Sequence, residues 1–232
     1  MKVVILAGGL GTRMAEYTNS VPKPMVKLGN KPILEHLIDI YSKHDFRDFI
    51  IALGYKGEIV REHFKKLKKK NVMINLIDTG QDTMTGGRLK RIKDEIGNNT
   101  FMLTYGDGLS NVDLKKLLNF HSKNKKLVTV TAVRPPARFG YLKFKGEDVI
   151  DFKEKSKLDV GWINGGFFVI EPKFLDYIKD DTTFLEREPM EKLVSDRQLA
   201  AYKHDGFWQC MDTTRDKIFL EDLIKHNNAP WI

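Results

Sequence analysis

The sequence predicts an α/β fold: a Rossmann-like, mostly parallel sheet with helices on both faces, extended by a small antiparallel β unit. Three observations predict it. Up to residue 133, short apolar and β-branched runs alternate with amphipathic stretches, the pattern of parallel strands joined by crossover helices. Two of those runs stop abruptly at glycine-rich turns, Gly8-Gly9-Leu10-Gly11 and Gly106-Asp107-Gly108, where a sheet of this kind opens toward ligands. Beyond Arg134 the texture changes to short extended runs bounded by glycine. The reading is a single domain over 1–232, with its halves meeting near 133/134.

Taken in order, 2–7 has the composition of a strand buried on both faces. Residues 32–43 place Ile33, Leu34, Leu37, Ile38 and Tyr41 on one helical face, with Pro32 suited to the first turn. A strand at 48–53 is closed by Gly54, and 58–69 is an amphipathic helix. A third strand at 72–77 precedes a polar loop at 78–87 and a helix at 88–96. The fourth strand is 100–105, followed by a helix at 112–124 and a strand at 127–133. Runs at 140–144, 149–153 and 162–170 read as added antiparallel strands walling a second pocket. Helices at 173–179 and 188–195, a strand at 198–203 and a closing helix at 213–226 complete the chain.

A chain of 232 residues can bury a full core. Its 39 basic against 31 acidic residues, a net charge of +8, suit an anionic partner. Much of the excess lies at 65–70 and 123–126, near the ends of expected helices, where cations complement the helix dipole. The aromatics do not recur beside these runs and no nucleic-acid motif is present, so a small polyphosphate is preferred over nucleic acid. Cys210 is the only cysteine, which excludes an intramolecular disulfide framework and a cysteine-based zinc site. The opening apolar run is too short for a secretory leader, and no run approaches membrane-spanning length. A soluble cytoplasmic protein with no membrane partner is expected. The six histidines show neither ligand nor triad spacing.

The opening loop carries the chemistry. Glycine lets main-chain N–H groups approach an anion, Thr12 adds a hydroxyl, and Arg13 adds a planar fork of donors. Lys23 sits between Pro22 and Pro24, on a segment whose φ angles are fixed at both flanks. Met14 stands where a dinucleotide fingerprint needs its third glycine, and no Lys-Ser or Lys-Thr follows the glycines as a Walker loop requires. Asp107, flanked by glycines, fits a metal ligand or an ordinary turn aspartate. Asp212 fits a metal ligand or the N-cap of the closing helix.

LAGGLGTR followed by PKPMVKLGNKPILEH resembles the signature of the sugar-nucleotidyltransferases. DTMTGGRLKR, LTYGDG, INGGFFV and FWQCMDTTRDK extend the likeness along the chain, toward the cytidylyltransferases of that family. The resemblance implies formation of CDP-glucose and pyrophosphate from CTP and glucose 1-phosphate with Mg²⁺, by a homo-oligomer; a relative using UTP, dTTP or another phosphorylated acceptor is the alternative. It implies that Leu6, Ala7, Gly8, Gly9, Gly11, Thr12, Arg13, Lys23, Thr83, Gly87, Arg88 and Gly106 bind the nucleotide, within 1–133. Arg13, Lys23 and Asp107 would be catalytic, and Asp107 with Asp212 would hold the metal. Gly140, Glu154, Lys155, Asn164 and Gly165, within 134–232, would bind the sugar phosphate. Two departures stand out. The family's Glu-Lys-Pro is Glu154-Lys155-Ser156 here, and the connection from Lys69 to Val72 is shorter than in the cytidylyltransferases by roughly twenty residues.

Overall fold

The alternation of a strand divides β1 (Lys2–Ala7) between two cores. Val3, Ile5 and Ala7 enter one, Val4 and Leu6 the other, and all are buried. A sheet covered on both faces follows from that pattern. The computed structural model describes residues 1–67, 69, 71–136, 140–153 and 161–232.

After β1 come a 3-10 turn (Thr12–Met14), α1 (Ala15–Thr18), a second 3-10 turn (Lys23–Met25), the short antiparallel pair β2 (Lys27–Leu28) and β3 (Lys31–Pro32), and α2 (Ile33–Lys43). Next are β4 (Asp48–Leu53), α3 (Gly57–Lys66), β5 (Met73–Asp78), α4 (Thr85–Arg91), α5 (Lys93–Ile96) and β6 (Phe101–Tyr105). They are followed by β7 (Gly108–Ser110), α6 (Leu114–Asn124), β8 (Val128–Val133) and the hairpin β9 (Tyr141–Lys145) with β10 (Asp148–Lys153). The remainder is β11 (Ile163–Ile170), a 3-10 segment (Pro172–Tyr177), α7 (Glu188–Ser195), β12 (Leu199–His204), β13 (Trp208–Cys210) and α8 (Thr214–Lys225). None of the described helices is long and apolar enough to cross a membrane.

The main sheet has the order β12-β8-β11-β6-β1-β4-β5. Neighbours pair in parallel, except that β11 runs antiparallel to both β6 and β8. From β1 the chain builds outward through β4 and β5, then crosses to the opposite side of β1 at β6. Strand order therefore reverses between β1 and β6, and the loops leaving their carboxyl ends part around a crevice.

Three expectations need correction. The run at 162–170 does not wall a second pocket. It supplies β11 inside the main sheet, and Phe167, Phe168, Val169 and Ile170 are all buried because both of its faces are covered. The helix expected at 88–96 begins earlier, at Thr85, and is interrupted at Ile92 to give α4 and α5. Gly86 and Gly87 thus lie inside a helix, where glycine is unfavourable. Close approach explains them: a Cβ on Gly87 would stand 2.5 Å from the Asp181 Cα, and one on Gly86 would stand 2.7 Å from the Thr183 carbonyl oxygen. Both N–H groups donate to that Thr183 carbonyl, at 3.0 and 3.3 Å. Finally, the helix expected at 173–179 is the 3-10 segment Pro172–Tyr177.

Phe167 stacks on Tyr41 of α2 with ring centroids 6.1 Å apart, which seats β11 against the first core. Phe167→Ala is expected to cost about 3–5 kcal/mol, read as a lower denaturant midpoint at unchanged slope. A loss below about 1 kcal/mol would contradict a central β11.

Candidate active site

The crevice between β1 and β6 is a cavity of about 530 Å³. At its floor, Gly11 has φ 65°, and a Cβ there would meet the Thr18 methyl at 2.8 Å and the Lys23 Cβ at 3.1 Å. Only glycine lets the chain turn this tightly against the segment that carries Lys23. The Gly11 carbonyl accepts from the Thr18 hydroxyl and from the Met14 N–H, both at 3.0 Å. That closes the turn presenting Thr12 and Arg13 on its exposed side. Pro22 is extended and Lys23 opens a 3-10 turn, so Lys23 leaves the chain at a bend.

Asp107 and Asp212, far apart in sequence, are brought together by two short strands. β7 pairs antiparallel with β13, Cys210 opposite Gly108, and the Met211 N–H donates to the Asp107 carbonyl at 2.9 Å. Lys23 then bridges the two side chains: its Nζ lies 2.6 Å from Asp107 Oδ2 and 2.5 Å from Asp212 Oδ1. Arg13 Nη1 lies 2.8 Å from Asp212 Oδ2. Burial of Lys23 disfavours its charge, but the paired carboxylates outweigh that and hold its pKa above the ordinary lysine value. Burial likewise works to raise Asp212, yet Lys23 and then Arg13 pull it below the ordinary carboxylate value.

The capping alternative for Asp212 is settled by geometry. The N-cap of α8 is Thr213, whose hydroxyl accepts from the Asp216 N–H while the Asp216 carboxylate accepts from the Thr213 N–H. Asp212 stands one residue outside that box, with its carboxylate on Lys23 and Arg13.

Leu6, Ala7, Gly8, Gly9, Thr83, Arg88 and Gly106 line the same cavity. Gly87 does not line it and is occupied instead by its contact with Asp181. The Arg88 guanidinium, buried, is turned onto protein carbonyls. At the other end, Asn164 and Gly165 reach the cavity because β11 runs antiparallel, so its start lies beside the end of β6. Gly140 is exposed and stands outside the cavity lining. Glu154 and Lys155 lie outside the described residues.

Sequence reasoning missed several lining residues. Glu186 accepts from the Tyr105 hydroxyl and the Thr85 hydroxyl, both at 2.7 Å. Asn164 Oδ1 accepts from the Gly166 N–H at 2.8 Å, and the Trp208 indole donates to the Gly165 carbonyl at 2.7 Å. Only Tyr105, beside the Gly106 turn at a strand end, carried a sequence signal. Burial and the neighbouring Glu186 charge push the Tyr105 phenol above its ordinary value, so it remains a donor. Cys210 also faces the site, but burial and the Asp212 and Asp107 charges push its thiol up to about 12, which leaves it protonated at neutral pH.

Two carboxylates that converge on one ammonium offer a donor set a cation could share. Among the described residues no group of three His, Cys, Asp or Glu side chains could hold a metal. By chemistry two carboxylates suit a hard divalent ion that would take its remaining ligands from phosphate oxygens and water.

A family model described as Nucleotidyl transferase matches residues 2–214. The glucose-1-phosphate cytidylyltransferase of Salmonella typhimurium is 45% identical over 255 residues, covering 100% of this chain and 98% of that protein. A probable glucose-1-phosphate cytidylyltransferase of Bacillus subtilis is 40% identical over 252 residues, covering 100% and 99%. Among solved structures, UDP-glucose pyrophosphorylase complexed with UDP-glucose superposes with a TM-score of 0.76 at 15% identity, covering 97% of this chain and 98% of that one. HddC from Yersinia pseudotuberculosis does so with a TM-score of 0.77 at 24% identity, covering 96% and 99%. At these identities the two structures speak to the fold alone.

The capping box makes a stability prediction that separates neighbours. Thr213→Ala should destabilise the protein by about 1 kcal/mol, a fall of roughly 2–4 °C in Tm for a chain of this size. Asp212→Asn, which breaks ion pairs to a buried lysine rather than the cap, should lower Tm by more than that at neutral pH and converge on the parent in acid, where the stability held by the lowered Asp212 carboxylate is lost as it protonates. A loss that does not shrink as the pH falls would return Asp212 to a capping role.

Proposed function

The chain belongs to the nucleotidyl transferase family, and from that premise we propose that it is a glucose-1-phosphate cytidylyltransferase. In this reading it makes CDP-glucose and pyrophosphate from CTP and α-D-glucose 1-phosphate. The observation that carries the chemistry is the convergence of Arg13, Lys23, Asp107 and Asp212 at one end of the cavity. The likeness to two cytidylyltransferases over the whole chain supports the choice of substrates.

The reaction asks for no general base, because a sugar 1-phosphate is already ionised at neutral pH. One of its oxygens attacks the α-phosphorus in line, and pyrophosphate departs from the opposite side. The protein's task is to hold two polyanions together and to neutralise the charge that moves onto the leaving group. The Gly8 to Arg13 loop would cradle the triphosphate, with Lys23 and Arg13 supplying positive charge from its two sides. A divalent cation, Mg²⁺ in this reading, would be held by Asp107 and Asp212 and would supply further charge neutralisation at the reacting phosphate.

The acceptor end has different chemistry. Glu186, a carboxylate that lines the cavity and accepts from the Tyr105 and Thr85 hydroxyls, suits sugar hydroxyls rather than a phosphate. Asn164 and Tyr105 beside it can both donate and accept. Residues 1–133 would thus hold the nucleotide and much of 134–232 the sugar phosphate, with Glu154 and Lys155 assigned there by resemblance. The protein would work in the cytoplasm as a homo-oligomer.

Each nucleoside triphosphate, paired with a panel of sugar 1-phosphates, tests this through the rate of pyrophosphate release. CTP with glucose 1-phosphate should be the fastest pair, and EDTA should abolish turnover. Faster release with UTP or dTTP would assign another base to this site, and no release with any pair would sink the reading.

A further inference from the structure

The loop at 181–186 has no helix or strand of its own, yet it is fastened to the first turn of α4 along its length. The Met84 N–H donates to the Asp181 carbonyl at 2.8 Å, beside the Gly86 and Gly87 bonds to the Thr183 carbonyl. The Leu185 N–H donates to the Thr85 hydroxyl oxygen at 2.9 Å, and the Leu185 side chain is fully buried. Glu186 follows directly on this anchor, is exposed, and lines the cavity.

The hydrogen bonds around Glu186 fix where the protons lie. The Thr85 hydroxyl accepts from Leu185, and its own proton goes to Glu186 Oε2 at 2.7 Å. The Tyr105 hydroxyl gives its proton to Glu186 Oε1 at 2.7 Å, and Asn164 Nδ2 donates to the Tyr105 oxygen at 3.4 Å. Asn164 is itself oriented by the Gly166 N–H on its Oδ1. The Tyr105 ring is held too: it meets Phe168 edge-on with centroids 5.9 Å apart, and a Cβ on Gly166 would stand 2.7 Å from its Cδ2. A carboxylate has about four lone-pair sites, and the two hydroxyls take one on each oxygen, so about two are left. With both hydroxyl protons spent, Glu186 and Tyr105 can only accept from a ligand. Of these four side chains, only Asn164 keeps a proton to donate. A ligand group seated here must bring hydrogen-bond donors, and hydroxyls on adjacent ring carbons of a sugar bring two together.

We propose that Glu186 is a specificity-determining residue for the acceptor: it takes hydrogen bonds from two adjacent hydroxyls of the sugar ring, with Thr85 and Tyr105 as the positioning residues that hold its carboxylate. The inference rests on reading the cavity as a sugar 1-phosphate site. It also gives Gly86 and Gly87 a purpose, because the close approach they allow seats the 181–186 loop on α4 and brings Glu186 to Tyr105.

The test measures equilibrium binding of glucose 1-phosphate by ligand-observed NMR, against its monodeoxy and monodeoxyfluoro analogues at each hydroxyl-bearing carbon. In the parent protein, two adjacent deoxy analogues should bind roughly tenfold more weakly than glucose 1-phosphate. The matching fluoro analogues should lose as much, since fluorine cannot donate. In Glu186→Ala those penalties should fall below about twofold, as a double-mutant cycle between protein and ligand requires of a direct pair. A merely structural role would weaken every analogue alike and leave the penalties in place. Should Glu186→Ala fold poorly by thermal melt, Glu186→Gln keeps the shape and should cut the penalties by about threefold or more. Undiminished penalties in a folded variant, or fluorine restoring what the deoxy analogue lost, would overturn the proposal. This binding needs neither turnover nor nucleotide. Penalties that depend on Glu186 without pyrophosphate release would sink the activity proposed above and leave this inference standing, whereas pyrophosphate release with penalties indifferent to Glu186 would do the reverse. A parent protein that binds no sugar 1-phosphate would overturn both.

Discussion

Gathering two carboxylates from distant parts of the chain on one ammonium costs conformational entropy and sets the two like charges close together, so the backbone must hold both in place. The three-residue strands β7 and β13 solve this with main-chain hydrogen bonds. Asp107 immediately precedes β7 and Asp212 lies two residues beyond β13, and the Met211 N–H on the Asp107 carbonyl continues the ladder to the point where both side chains converge on Lys23. The rest of the site depends on this closure. Without it Lys23 would be a buried cation lacking compensation, and such a group costs several kcal/mol when a partner is removed.

The sheet prepares both sides of the closure. β1 and β6 are adjacent and parallel, so the loops after Ala7 and Tyr105 leave the same edge at the point where strand order reverses. β11, antiparallel beside β6, delivers Asn164 and Gly165 to that edge from its start rather than its end. A single antiparallel strand thus lets residues from the later half of the chain share a cavity with the earlier half. The Trp208 indole on the Gly165 carbonyl ties β13 to β11 and joins the end of the cavity that carries Asp107 and Asp212 to the end that carries Asn164.

Much of this was legible in the sequence because its causes are local. The strand 2–7, its abrupt glycines and the alternation to residue 133 are written in neighbouring residues, and family likeness named Asp107 and Asp212. The route by which they meet was not legible. β7 and β13 are three residues long, too short to show a period, and their register is decided by contacts across a hundred positions of sequence. Gly86 and Gly87 signalled a loop because glycine weakens isolated helices, whereas here backbone contact with Asp181 and Thr183 outweighs that preference. β11 was misplaced for a similar reason: a short apolar run shows that it is buried but not beside what. Arg88 was named for the nucleotide, and the carbonyls that occupy its donors belong to segments that sequence spacing does not bring together.

The central claim is that Asp107 and Asp212 form one cation site in the presence of a nucleotide, and Mn²⁺ binding followed by electron paramagnetic resonance tests it most directly. With a non-hydrolysable nucleoside triphosphate present, Asp107→Asn and Asp212→Asn should each weaken Mn²⁺ binding by at least about tenfold, and the double variant should lose little beyond the weaker single, because one ion draws on both side chains. Parental Mn²⁺ affinity in either single variant would contradict the account.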